Sequence, residues 1–168
     1  LSEITAMATT INLVDIVHPP EVKEQVKELK NVILVEDDVS GGLINEVWRK
    51  AGKRTVFNRM KSLSGIEVNE YKPGFDPGLV ISLNILTQLE TLPVALLVKK
   101  SRVDAEEMLN FRKRIQQNHI SFLKKQRAVL ITDISELISN SSGATEEVPS
   151  LLADLPDAVM EQEWTWDF

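Results

Sequence analysis

The sequence predicts an α/β domain of the doubly wound type, built on a mainly parallel open sheet. Three observations carry that expectation. Short apolar runs recur at Val32–Val35, Leu79–Leu83, Val94–Val98 and Ala128–Ile131. Bounded by polar residues, such runs suit strands buried on both faces of a parallel sheet. Segments with apolar residues at helical spacing lie between them, which calls for crossover connections rather than hairpins. Finally, Asn31-Val-Ile-Leu-Val-Glu-Asp-Asp38 ends in three consecutive carboxylates, at the end of a strand where open α/β sheets gather ligands.

The elements follow in chain order. Thr9 to Val17 is mostly apolar and is stopped by His18-Pro19-Pro20. Val22, Val26 and Leu29 predict a helix from Glu21 to Leu29, with Lys and Glu between them. After the acidic strand, Ser40-Gly41-Gly42 breaks the chain. Leu43, Ile44, Val47 and Trp48 then form an apolar helical stripe ending near Gly52. Arg54 to Asn58 suits a strand, and Met60 to Tyr71 reads as a helical turn followed by an alternating strand, Ile66 to Glu70. Pro73-Gly-Phe-Asp-Pro-Gly78 is a turn cluster. A short helix through Leu89 follows the strand Leu79–Leu83, and Pro93 leads into the strand Val94–Val98. Asp104 to about Lys125 is the longest helix, with Met108, Phe111, Ile115 and Phe122 along one face. Thr132-Asp133 closes the last strand, Ile134 to Ile138 begins a final helix, and Asn140-Ser-Ser-Gly143 reads as a linker. The expected organisation is an N-terminal helical extension (1–30), an α/β domain (31–140) and an acidic aromatic tail (141–168).

Composition narrows the function classes. With 43% hydrophobic and 26% charged residues, the chain is an ordinary globular one. No apolar run approaches the roughly 18 residues a membrane helix needs, so no membrane partner is expected. The absence of cysteine excludes disulfides, thiol nucleophiles and zinc–thiolate sites and agrees with a cytoplasmic location. The formal charge of −6 is unevenly spread: residues 141–168 carry −7 with no Lys or Arg, and the remaining residues carry +1.

Three pieces of the chain resemble the receiver domain of bacterial response regulators, a flavodoxin-like fold. Asn31 to Asp38 looks like that family's first strand, with its acidic pair at Glu36 and Asp37. Gly78-Leu-Val-Ile-Ser-Leu83 looks like the third strand, whose last residue accepts the phosphoryl group. Leu92-Pro-Val-Ala-Leu-Leu-Val98 looks like the fourth. The resemblance implies Mg²⁺ at Glu36 and Asp37, but the other chemical positions depart from it. The acceptor position holds Leu83, the Ser/Thr position falls on Val98, and the lysine position falls near Thr132-Asp133. Phosphoryl transfer needs a carboxylate beside the metal and a cation for the developing charge. What is implied is a degenerate receiver-like domain used for contacts.

Other chemistry is sparse. Gly41-Gly42 lacks a phosphate-loop spacing, and His18 and His119 lie too far apart in sequence to suggest a triad. Asp38 is expected to help cap the helix after Gly42. Basic residues cluster from Arg49 to Lys61 and again around the long helix, at Lys99, Lys100 and Arg102, Arg112-Lys113-Arg114, and Lys124, Lys125 and Arg127. The tail mixes acids with Leu151, Leu152, Leu155, Trp164, Trp166 and Phe168, a pattern suited to a linear motif that folds on binding. The leading expectation is a non-catalytic regulatory or interaction protein. Trp164, Trp166 and Phe168 are the partner anchors, and Arg112, Lys113 and Arg114 form a complementary basic face. No cofactor is required, and self-association through the tail fits the charge split. The alternatives are an Mg²⁺-dependent phosphoryl-transfer or nuclease domain using Glu36 and Asp37, and a nucleic-acid-binding protein using the basic clusters.

Overall fold

The computed structural model describes residues 2–55, 57–139 and 143–165. Helix α1 (Ser2–Met7) leads into strand β1 (Ile11–Asp15). Helix α2 (Pro20–Val26) starts with proline in its first turn, where a missing N–H costs nothing, and crosses over to β2 (Val32–Glu36). The two strands pair in parallel, from Ile11 opposite Val32 to Asp15 opposite Glu36. Residues 1–30 thus contribute a strand as well as helices.

Helix α3 (Leu43–Ala51) follows β2. A long connection without regular structure then reaches β3 (Leu79–Leu83). Helices α4 (Thr91–Lys100) and α5 (Ala105–Leu123) form the crossover to β4 (Arg127–Ile131), which pairs in parallel with β3 from Leu79–Arg127 to Leu83–Ile131. Strands β5 (Ser135–Ser139) and β6 (Thr145–Pro149) make an antiparallel hairpin. Among the described residues the protein is a mixed α/β structure, its six strands paired in three two-stranded sheets.

The core has three parts. Leu43, Val47 and Ala51 of α3 meet Leu97 of α4 and Phe111 and Ile115 of α5, with Leu63 and Ile66 closing the cluster. Tyr71, Phe122 and Leu123 form a second cluster, against which Val14 of β1, Val80 of β3 and Leu130 of β4 pack. Leu86, Ile120 and Ala153 form a third, joined by Leu130 and Leu151. Helix α5 belongs to all three and is the spine of the fold. Its start is defined by Asp104, whose side chain accepts from the Glu107 N–H at 2.7 Å.

Several expected elements differ. Val94–Val98 is helical, because Leu, Ala and Leu favour a helix and Pro93 sits in the first turn of α4, where it is tolerated. A short apolar run cannot distinguish the two states by periodicity alone. Ile134–Ile138 contributes to β5 rather than a helix, because pairing with β6 satisfies its backbone. Residues 86–90 form turns, not a helix, and no strand forms at 54, 55, 57 and 58 or at 66–70. The segment 66–70 keeps an alternating burial pattern but has no strand partner. The parallel strands are also less enclosed than expected. One side of the β3–β4 pair leaves Leu79, Ile81, Leu83 and Val129 exposed, with Leu83 at 64%, while α5 covers the other. No described helix is long and apolar enough to cross a membrane.

Candidate functional site

The three acids after β2 are each engaged by protein groups. Glu36 Oε1 accepts from Lys23 Nζ at 2.9 Å. That hydrogen bond, then the lysine's charge, holds the Glu36 carboxyl below its ordinary range. Asp37 Oδ2 accepts from the Tyr71 hydroxyl at 2.9 Å, and its Oδ1 accepts from the Asp38 N–H at 2.8 Å. Burial, then the bond to Asp37, pushes the Tyr71 phenol up. Asp38 turns onto Ser40, accepting from both its N–H and its hydroxyl. Asp38 therefore does not cap α3; the N-cap position is Gly42, which has no side chain to offer. Among the described residues no cluster of three or more His, Asp or Glu could hold a metal ion. A cation at Glu36 and Asp37 would compete with the Lys23 ammonium and would have only these two carboxylates as its charged ligands.

The remaining receiver-like positions are equally unsuited. Leu83 points out from an exposed sheet face, and Asn84 after it adopts a left-handed backbone (φ 51°). Val98 lies exposed on a helix.

On α5, three consecutive basic residues go to three places, as a helix dictates. Arg112 donates through Nε to Glu90 Oε1 at 2.7 Å, with Nη2 at 2.5 Å from the same oxygen, and Glu90 is only 7% exposed. Lys113 Nζ lies 3.4 Å from Asp154, an acid of the C-terminal segment. The Arg114 guanidinium sits 5.6 Å from the Phe111 ring centroid. Arg112 thus leaves the expected basic face, while Lys113 and Arg114 share one side of the helix. Other basic residues are also matched locally: Arg49 and Lys50 by Glu46, and Lys125 by Glu70.

Beside this face, Gln116 forms a clamp that the sequence did not announce. Its side chain is fully buried on α5. Nε2 donates to the Ser150 carbonyl at 2.9 Å, and Oε1 accepts from the N–H groups of Leu152 and Ala153 at 2.7 and 3.2 Å. One amide therefore reads three backbone groups of an extended segment, which Leu151 and Ala153 anchor in the core. The only advance signal was an amide among the apolar positions of α5. Past Ala153, residues 154–165 are exposed, with Trp164 half exposed. The expected anchors Trp166 and Phe168 lie outside the described residues.

Two clefts flank the unpaired segment 66–70. The larger, about 720 Å³, lies between that segment and α5, where Asn110, Lys113, Arg114 and Gln117 line it. The smaller, about 290 Å³, lies toward Gly41, Gly42 and Arg49. Glu67 and Asn69 border both.

A last polar pair is enclosed. Ser82 Oγ on β3 lies 2.9 Å from His119 Nε2 on α5, both side chains buried. Burial pushes the imidazole down to about 4, and among the described residues Nδ1 has no partner. Without an acid on Nδ1 or an opening to solvent, the pair lacks what a nucleophile–base site requires. It joins the helix to the sheet.

No protein-family model, curated protein or solved structure matches this chain.

Proposed function

We propose that this chain is a non-catalytic regulatory or interaction protein that presents its acidic aromatic C-terminal segment to a protein partner. The observation that supports this is the Gln116 clamp. It seats residues 150–153 on α5 and leaves the following acidic, apolar stretch at the surface. A short exposed segment anchored at one end loses less entropy on binding than a free one. Trp164 and Trp166 are the proposed anchors, with the acids steering toward a basic partner surface. Part of the expected basic face instead serves the chain itself, through Arg112 on Glu90 and Lys113 on Asp154. The reading places the protein in the cytoplasm, in keeping with a cysteine-free chain.

The same reading treats the two parallel sheets as parts of one doubly wound, flavodoxin-like layer. Val14 and Val80 packing on one Tyr71–Phe122–Leu123 cluster supports that. A receiver-like ancestry would then survive only in β2 and β3. The Mg²⁺ alternative is disfavoured by the bonds that Glu36 and Asp37 already make, and the nucleic-acid alternative by local acids beside Arg49, Lys50, Arg112 and Lys125.

The test is capture of a partner from native extract by the intact chain and by a Trp164→Ala/Trp166→Ala variant. The captured protein should be lost by the variant, with circular dichroism unchanged, and should bind a synthetic peptide of residues 155–168. Equal capture by both chains overturns the reading.

A further inference from the structure

Helix α5 carries a second stripe beside the one that holds its own C-terminal segment. Asn110, Lys113, Arg114 and Gln117 fall at i, i+3, i+4 and i+7, the spacing that puts residues on one helix face. All four line the 720 Å³ cleft. That volume lies within the range of ligand-binding clefts, about 300–1,000 Å³. The opposite wall is formed by Ile66 to Asn69, with Glu67 as its one acid facing Lys113 and Arg114, and among the described residues the backbone N–H groups of Glu67 to Lys72 donate to no protein acceptor. Such a segment can accept an added extended chain.

The chemistry of this stripe repeats one already at work in the molecule. Gln116 reads the backbone of an extended segment, and Lys113 meets the acid that follows it, Asp154. In the cleft, Asn110 and Gln117 offer the same amide groups, and Arg114 offers the cation. An extended acidic peptide is the ligand this set would recognise. The chain itself contains one. Residues 157–165 include Asp157, Glu161 and Glu163, have no basic residue, and are exposed in their own copy rather than filling the cleft.

We propose that the cleft between α5 and residues 66–70 receives the acidic C-terminal segment of a second copy, giving a reciprocal dimer. The proposal rests on the reading of that segment as an interaction motif. Each copy offers one cleft and one segment, so a two-fold arrangement satisfies both at once.

Sedimentation velocity of the full chain tests it. The native chain should associate as concentration rises, and salt should weaken the association. An Asn110→Asp/Arg114→Glu variant reverses the cleft while leaving Lys113 on Asp154. A Glu161→Lys/Glu163→Lys variant reverses the segment at exposed positions, where folding is not at issue. Each variant alone should remain monomeric. Their equimolar mixture should associate, because each segment then meets a cleft of opposite charge. A native chain that stays monomeric at millimolar concentration overturns the proposal, as does association that neither variant weakens or a mixture that fails to pair. If the monomer still captures a protein through Trp164 and Trp166, this proposal fails alone and the function proposed above stands.

Discussion

Ser82 Oγ and His119 Nε2 meet at 2.9 Å where β3 packs against α5, with neither side chain open to water. Burial favours a neutral imidazole in the folded chain, since it disfavours the charged form. In the unfolded chain the imidazole titrates near its ordinary value of 6.5, and in the folded chain near 4. Between those values the unfolded state binds more protons, so stability falls as pH drops from about 6.5 toward 4. The loss amounts to roughly 3 kcal/mol across that window. Urea unfolding at pH 7.5 and at pH 5 should show it, and a His119→Leu variant should show a flatter dependence. Glu36 and Glu46, both held below the carboxylate range by basic neighbours, lose their contributions at lower pH, as they protonate.

Replacing Gln116 by alanine leaves the Ser150 carbonyl and the Leu152 and Ala153 N–H groups without their partner. Unmet backbone groups in a packed setting should cost about 2–4 kcal/mol in total. The segment from residue 150 onward should also detach before the domain unfolds. Limited proteolysis should then cut the variant near residues 150–155 under conditions in which the parent chain is resistant.

Gly41 and Gly42 both have positive φ, at 70° and 86°, yet their surroundings differ. A Cβ on Gly41 would lie 2.2 Å from the Asn69 carbonyl oxygen, whereas one on Gly42 would meet nothing within 4 Å. Gly42→Ala should cost only the left-handed backbone penalty, about 1 kcal/mol. Gly41→Ala should cost more than about 2 kcal/mol, because the backbone at Asn69 must move as well. Thermal unfolding of the two variants side by side measures the difference.

Arg112 and Glu90 form the most enclosed ion pair of the described residues. Arg112→Met leaves a buried carboxylate unpaired and should cost about 2–3 kcal/mol. Adding Glu90→Gln should recover much of that loss, since the uncompensated charge is then gone. A double-mutant cycle by chemical denaturation gives the coupling directly.

The parts that were legible in the sequence are those with local causes. Helix α5 announced itself through Phe111, Ile115 and Phe122 on one face and through Asp104 as its cap. Strands β2, β3 and β4 showed as apolar runs closed by polar residues. The misreadings arose where tertiary pairing decided the outcome. Leu92 to Val98 carries no periodicity to separate helix from strand, and packing against α3 adds to the propensity of Ala95, Leu96 and Leu97 in favouring the helix. Ser135 to Ser139 becomes extended because Thr145 to Pro149 lies beside it. At the candidate site, Glu36 and Asp37 were visible but their partners Lys23 and Tyr71, 13 and 34 residues away, were not. Gln116 was hidden for the opposite reason. A glutamine on a helix reads as solvated, and its role exists only once residues 150–153 arrive from a distant part of the chain.

Leu79, Ile81, Leu83 and Val129 remain wetted on strands whose pairing type is usually covered on both sides. Copies of the chain therefore carry an attractive oily strip, and the excess of negative charge opposes contact through it. That repulsion vanishes near the isoelectric point, about 5.0. The same pH lies inside the interval in which protonation of His119 weakens the fold. Acidification should thus remove colloidal repulsion and loosen packing together, and turbidity should rise most steeply near pH 5 rather than at the acid extreme.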